Sequence, residues 1–111
     1  MDDYLKFLEE VFGQFGHISA RKMFGGHGVY HQGVMFALIA DGVLFLKVDD
    51  GNRHFFEQEG LPPFEYDKGN KTVVMSYCQA PDEMLEDPEL AAQWAQRSYQ
   101  AAMQSRAANK G

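Results

Sequence analysis

Apolar positions change their period twice along the chain. Leu5, Leu8, Phe12 and Phe15 recur at spacings of three and four behind Asp2 and Asp3. That spacing predicts a helix over about 3–14 with one buried face, its acidic start suited to the helix dipole. Gly13 and Gly16 mark its stop. From Ile18 to Val48, short runs rich in aromatic and β-branched residues are divided by glycines: SARKMF, HGVYH, VMFALIA and VLFLKV. They predict a four-strand antiparallel meander. Asp41-Gly42 is a strong hairpin signal, because both residues tolerate positive φ. Gln32-Gly33 is a weaker one, and Gly25-Gly26 is a tight turn or a bulge. The run Val34–Ala40 is too continuously apolar for a half-exposed edge, which places it centrally under helices.

Beyond Val48, Asp49 or Asp50 reads as an N-cap for a two-turn helix through Asn52–Gln58. Phe55 or Phe56 faces inward, and Gly60 stands at the C′ position. Leu61-Pro62-Pro63 is an extended linker, since each proline pushes its predecessor away from the helical region. Phe64-Glu65-Tyr66 alternates weakly, Asp67–Lys71 is a polar turn, and Thr72–Tyr77 is a further strand. Pro81-Asp82-Glu83 opens a short turn. Asp87-Pro88-Glu89 then starts the last helix, with Asp as N-cap and Pro at the first helical position. Leu90, Ala91, Trp94, Ala95 and Ser98 give that helix its buried face, and good helix formers continue to about Ala107. Strands between terminal helices give an α+β, two-layer fold with an antiparallel sheet of about five to six strands. The chain reads as a single domain over 1–111, with its core at about 4–105 and a frayed tail at 106–111.

Composition narrows the class. The chain has 111 residues, 45% of them hydrophobic, with nine Phe, five Tyr and one Trp. That is enough to fill a core without staples. One cysteine, Cys78, excludes an internal disulfide and gives no sign of an oxidising compartment. The acidic N-terminus lacks the basic region of a signal peptide, and no apolar run approaches membrane-spanning length. A cytoplasmic, soluble protein is the expectation. Ten Lys and Arg against sixteen Asp and Glu give a net charge of -6, which argues against a nonspecific phosphate binder.

Candidate chemistry is sparse. His27 and His31 are four apart, and on a strand that spacing separates them by about 13 Å, too far to share one tetrahedral metal. His17 and His54 have no ligand neighbour, so no metal is expected, and the histidines read as exposed turn residues. Cys78 lacks a paired base, and the acids from Asp82 onward would raise its pKa, so it reads as a packing residue. The stretch MFGGHGVYHQG is followed by strand pattern rather than a helix, which removes the phosphate-loop reading. Arg21 and Lys22 alternate onto opposite strand faces and make no joint patch. The five acids between Asp82 and Glu89 serve capping and solubility, with a partner-binding patch as the lesser reading. No catalytic residue and no cofactor is expected.

An ordered string of residues adds a resemblance. Arg21-Lys22-Met23-Phe24-Gly25-Gly26-x-Gly28-x-Tyr30 is followed by Gly33-x-x-Phe36-Ala37-Leu38-Ile39 and Leu44-Phe45-Leu46-Lys47-x-Asp49. Asn52, Phe56, Gly60, Pro63-Phe64-x-Tyr66, Met75-Ser76-Tyr77, Pro81-x-Glu83 and Trp94 continue it over about residues 4–102. The string resembles the TfoX (Sxy) N-terminal domain family. The resemblance implies a non-enzymatic regulator of competence genes, acting with the cyclic-AMP receptor protein. It also implies a two-layer fold like that of type III secretion chaperones. Full-length competence regulators of this kind carry a second, helical C-terminal domain, so the chain reads as a stand-alone or trimmed single-domain member. The expected interaction surface is Arg21, Phe24, Gly25, Gly26 and Tyr30, or the exposed side of the sheet. A homodimer through a sheet face or edge is a further expectation. The rival class is a direct nucleic-acid-binding regulator, which the net charge disfavours.

Overall fold

The computed structural model describes residues 2–23 and 25–110, with the backbone alone for Asp2 and residues 107–110. Helix α1 (Asp2–Val11) leads into strands β1 (Ser19–Met23), β2 (Gly26–His31), β3 (Val34–Ala40) and β4 (Val43–Lys47). Helix α2 (Arg53–Gln58), strands β5 (Pro63–Lys68) and β6 (Lys71–Gln79), a 3-10 turn (Asp82–Glu86) and helix α3 (Pro88–Lys110) complete the chain. All strands pair antiparallel in one sheet of order β1-β2-β3-β4-β6-β5. The meander is as expected, and both hairpin turns hold two residues at positive φ: 50° and 80° at Gln32-Gly33, 51° and 76° at Asp41-Gly42. β6 enters between β4 and β5, and only three residue pairs join it to β4: Phe45–Gln79, Leu46–Cys78 and Lys47–Tyr77.

Side-chain alternation sorts the two faces of the sheet. The row Ala20, Val29, Ala37, Leu46, Cys78, Pro63 runs across all six strands on the side that carries the helices. There Leu8, Phe12, Phe36, Ile39, Leu46, Phe56 and Met84 form the core, with Trp94 of α3 set edge-on against Phe56 at 5.0 Å. α3 lies over β3 and β4. A bulge bends β3: Val29 pairs with Ala37 and Tyr30 with Met35, so Phe36 has no partner on β2. Phe36 and Ala37 are therefore both turned into the core, between Val34 and Ile39. The helices cover one face of β3 only. On its other face Leu38 is still just 4% exposed, shielded by side chains of the neighbouring strands rather than by a helix.

Several boundaries depart from expectation for local reasons. α1 stops at Val11, and residues 12–15 form turns closed by bonds from Phe15 and Gly16 N–H to the Phe12 carbonyl. The N-cap of α2 is Asn52, not Asp49 or Asp50. Asn52 is buried; its side chain accepts from Asp49 N–H and donates to the Lys47 carbonyl, while Asp49 Oδ1 accepts from Gly51 N–H. Gly60 takes the expected C′ place, with Gly60 N–H on the Glu57 carbonyl and Leu61 N–H on that of Phe56. The polar turn is shorter than expected: only Gly69 and Asn70 lie between the strands, and Asp67, Lys68 and Lys71 are strand residues. Asp87 caps α3 by accepting from Glu89 and Leu90 N–H, as expected. α3 runs to Lys110, past the expected end near Ala107.

The β1–β2 turn shows what its two glycines do. A Cβ on Gly26 would come 2.0 Å from the Ile39 carbonyl oxygen, so only glycine lets β2 approach β3 there. Gly25 has open space around it but sits at φ +74°. Gly26→Ala should cost about 3 kcal/mol, because a backbone must move, and Gly25→Ala about 1 kcal/mol of left-handed strain. Urea unfolding of the two variants checks this; equal losses would refute the close-approach explanation.

Candidate interaction face

The expected surface residues divide. Phe24 lies outside the described residues. Gly25 is exposed in the turn, and Gly26 is buried against β3, a fold-making residue rather than a contact. Arg21 and Tyr30 do come together: the guanidinium carbon stands 5.2 Å from the Tyr30 ring centroid, on the side of the sheet away from the helices. Lys22 alternates to the opposite side, across from His27, as expected.

The helix-free face continues far beyond that pair. Its central row is Arg21, Gly28, Leu38, Phe45, Gln79. A second row holds Tyr30 beside Met35, then Lys47 beside Tyr77. Gly28 lets side chains close over the strand, for a Cβ there would meet the Met23 methyl, Met35 sulfur and Tyr30 ring at 3.0–3.1 Å. The Phe64 ring sits 4.9 Å from Phe45 and 6.0 Å from Tyr66, carrying the aromatic surface onto the β5–β6 hairpin. There Tyr66 pairs with Val73 and Lys68 with Lys71, so both lysines stand on the same face.

Charge on this face is one-sided. Lys47 Nζ lies 5.1 Å from the Tyr77 ring centroid and donates to Ser76 Oγ at 2.6 Å. Burial lowers its pKa, with nearby Asp49 acting the other way. The strand positions of the face carry Arg21, Lys47, Lys68 and Lys71 and not one carboxylate, in a chain with six more acids than bases. Two further acids stand at one rim, where Asp41 and Glu65 flank a depression of about 410 Å³ beside Phe45 and Phe64. Sequence reasoning named the exposed side of the sheet but not these residues. The signal lies in VLFLK, where Leu44 and Leu46 alternate with Val43, Phe45 and Lys47.

Elsewhere the structure places reactive side chains apart. His31 is not an exposed turn residue: its ring packs 4.6 Å from Phe15 and 5.0 Å from Tyr99, and Nδ1 donates to the His17 carbonyl at 2.7 Å. Among the described residues no cluster of three His, Cys, Asp or Glu could hold a metal ion. Cys78 lies in a groove of about 430 Å³ between α2 and β6, with Arg53 and Glu57 on the wall. Burial pushes the Cys78 thiol up; Arg53 opposes and Glu57 adds, so the local cause is not the Asp82 stretch. A thiol held protonated is a poor nucleophile. Among the described residues no helix is long and apolar enough to cross a membrane.

Tyr77 anchors the middle of the face at 7% exposure. Burial pushes its phenol up to about 12, and the nearby Tyr30 phenol adds to the rise. The raised native value means that the unfolded chain loses this proton first. Its contribution to stability is full below about pH 10 and lost as pH rises toward 12. Between those limits wild type should lose about 2 kcal/mol more than Tyr77→Phe. Urea unfolding of both proteins at a series of alkaline pH values measures the difference. Parallel curves would mean that the phenol is not held neutral by the fold.

The model of the TfoX N-terminal domain matches residues 10–102. A curated relative, DNA transformation protein TfoX1 of Aliivibrio fischeri, is 32% identical over 74 residues, covering 63% of this chain and 35% of the relative. The aligned part thus spans about a third of that protein. With the family model covering most of the chain, from the end of α1 to the second half of α3, the chain belongs to the TfoX N-terminal domain family.

Proposed function

We propose that the domain is a non-enzymatic regulatory module related to competence control, acting on transcription through a protein partner. The observation that carries this reading is the broad helix-free face, which is aromatic and cationic and, among the described residues, is covered by no helix. It offers contact area rather than a cleft with an activated nucleophile or a paired acid and base. The name of the Aliivibrio fischeri relative supports a link to DNA transformation. The partner class is a cyclic-AMP receptor protein-like transcription regulator, and the contact includes Arg21 and Tyr30.

Purified domain titrated against the host's cyclic-AMP receptor protein, by calorimetry or surface plasmon resonance, tests this. Saturable binding is expected, and Arg21→Ala and Tyr30→Ala should each weaken it by about tenfold, the loss usual for a central contact. Thermal unfolding of both variants should stay close to wild type, because Arg21 is exposed and Tyr30 half-buried. Absence of binding, or full affinity in both variants, would remove the proposed partner.

A further inference from the structure

The face described above has a chemical polarity that narrows what it can receive. Four of the ten Lys and Arg stand at its strand positions with none of the sixteen Asp and Glu, although Asp49, just past the end of β4, lies near Lys47. Two of those cations rest over tyrosine rings, Arg21 on Tyr30 and Lys47 on Tyr77. A ring contact of this kind is worth only about 0.5–1 kcal/mol at an exposed site, so a carboxylate of a partner readily recruits the cation. Between the cations the surface is apolar and adaptable, with Met35, Phe45 and Phe64 half-buried and available. We propose that this face docks an acidic protein segment whose apolar side chains seat on Phe45 and Phe64 while its carboxylates pair with Arg21, Lys47, Lys68 and Lys71.

The arrangement also orients the segment. Asp41 and Glu65 at the Phe45–Phe64 rim repel its acids there. Asp49 lies near Lys47 as well, so the carboxylates are directed chiefly out along the β5–β6 hairpin, to Lys68 and Lys71. Single-stranded nucleic acid fits less well, although it too is anionic. Of the three tyrosines on the face, Tyr77 is almost fully buried, Tyr30 has a guanidinium over its ring and Tyr66 is already stacked with Phe64. The proposal rests on the reading of this face as an interaction surface and adds the chemistry of what binds there.

The test uses a fluorescein-labelled synthetic peptide in which Glu and Asp alternate with Leu and Phe, a counterpart with Lys in place of the acids, and oligo-dT. Fluorescence anisotropy with the whole chain at low and moderate salt gives the affinities. The acidic peptide should bind more tightly than both other probes and weaken as salt rises. Lys68→Glu with Lys71→Glu should lower its affinity by about tenfold. A charge-matched control, Lys6→Glu with Lys22→Glu, changes the net charge equally but lies off the face, and should leave binding unchanged. Both proline-free hairpin positions are exposed, so the double variant is expected to fold. The proposal is overturned if the two peptides bind alike, if the control pair weakens binding as much, or if oligo-dT binds more tightly through the same lysines. Binding of the acidic peptide without binding of the cyclic-AMP receptor protein would retire that partner and leave this chemistry standing.

Discussion

The double shielding of β3 is the constraint on which the rest depends. A central strand with a helix on one side ordinarily shows apolar and polar residues in alternation unless both sides are covered. Here the bulge at Phe36 turns two consecutive residues into the helix-side core, where the Phe36 ring meets Phe12 at 5.5 Å and Phe15 at 5.1 Å. The step also sets which residues look the other way, so Met35 and Leu38 face the helix-free side. Remove the extra residue and every position on one end of the strand exchanges faces. Which residues at the start of β3 meet Phe12 and Phe15, and which join Tyr30 on the open face, follows from that single insertion.

Much of this was legible in the sequence, and what was not has definite physical causes. Helix faces, hairpin turns and the Asp87-Pro88 start are local signals, carried by residues within a few positions of one another, and they read correctly. The bulge left no trace because VMFALIA is apolar at every position, and periodicity carries no information where there is nothing to alternate. The N-cap of α2 was misread because three candidates, Asp49, Asp50 and Asn52, are chemically equivalent as caps. Asn52 holds the N-cap place by position: its buried side chain ties back to Asp49 N–H and the Lys47 carbonyl and makes no capping bond to the helix. The strands of the β5–β6 hairpin were cut short because their tips are charged, and ladder hydrogen bonds do not require apolar side chains.

The interaction face was half legible. Arg21 and Tyr30 were picked from a sequence-near string and do touch. Lys47, Tyr77, Lys68 and Lys71 join them only through the register of strands far apart in the chain, a non-local fact. Bulk charge pointed the other way, since the acids lie on helices, in turns, on β5 away from the lysines and at one rim of the face. A net charge averages over surfaces that a sheet keeps apart, and the separation is the informative quantity.

The way β6 is joined to its neighbours has a consequence for how the chain folds. The first four strands close by short hairpins, and β5 closes on β6 the same way, so each piece is assembled from contacts between near neighbours in sequence. The three pairs between β4 and β6 are the sheet's non-local link, closing the whole stretch from Lys47 to Tyr77. The entropy of that closure falls on a short ladder, recovered through Leu46, Cys78 and the Lys47–Tyr77 contact rather than through many backbone bonds. Two locally stitched pieces thus meet at one narrow seam, and Lys47 and Tyr77 hold both the seam and the centre of the open face.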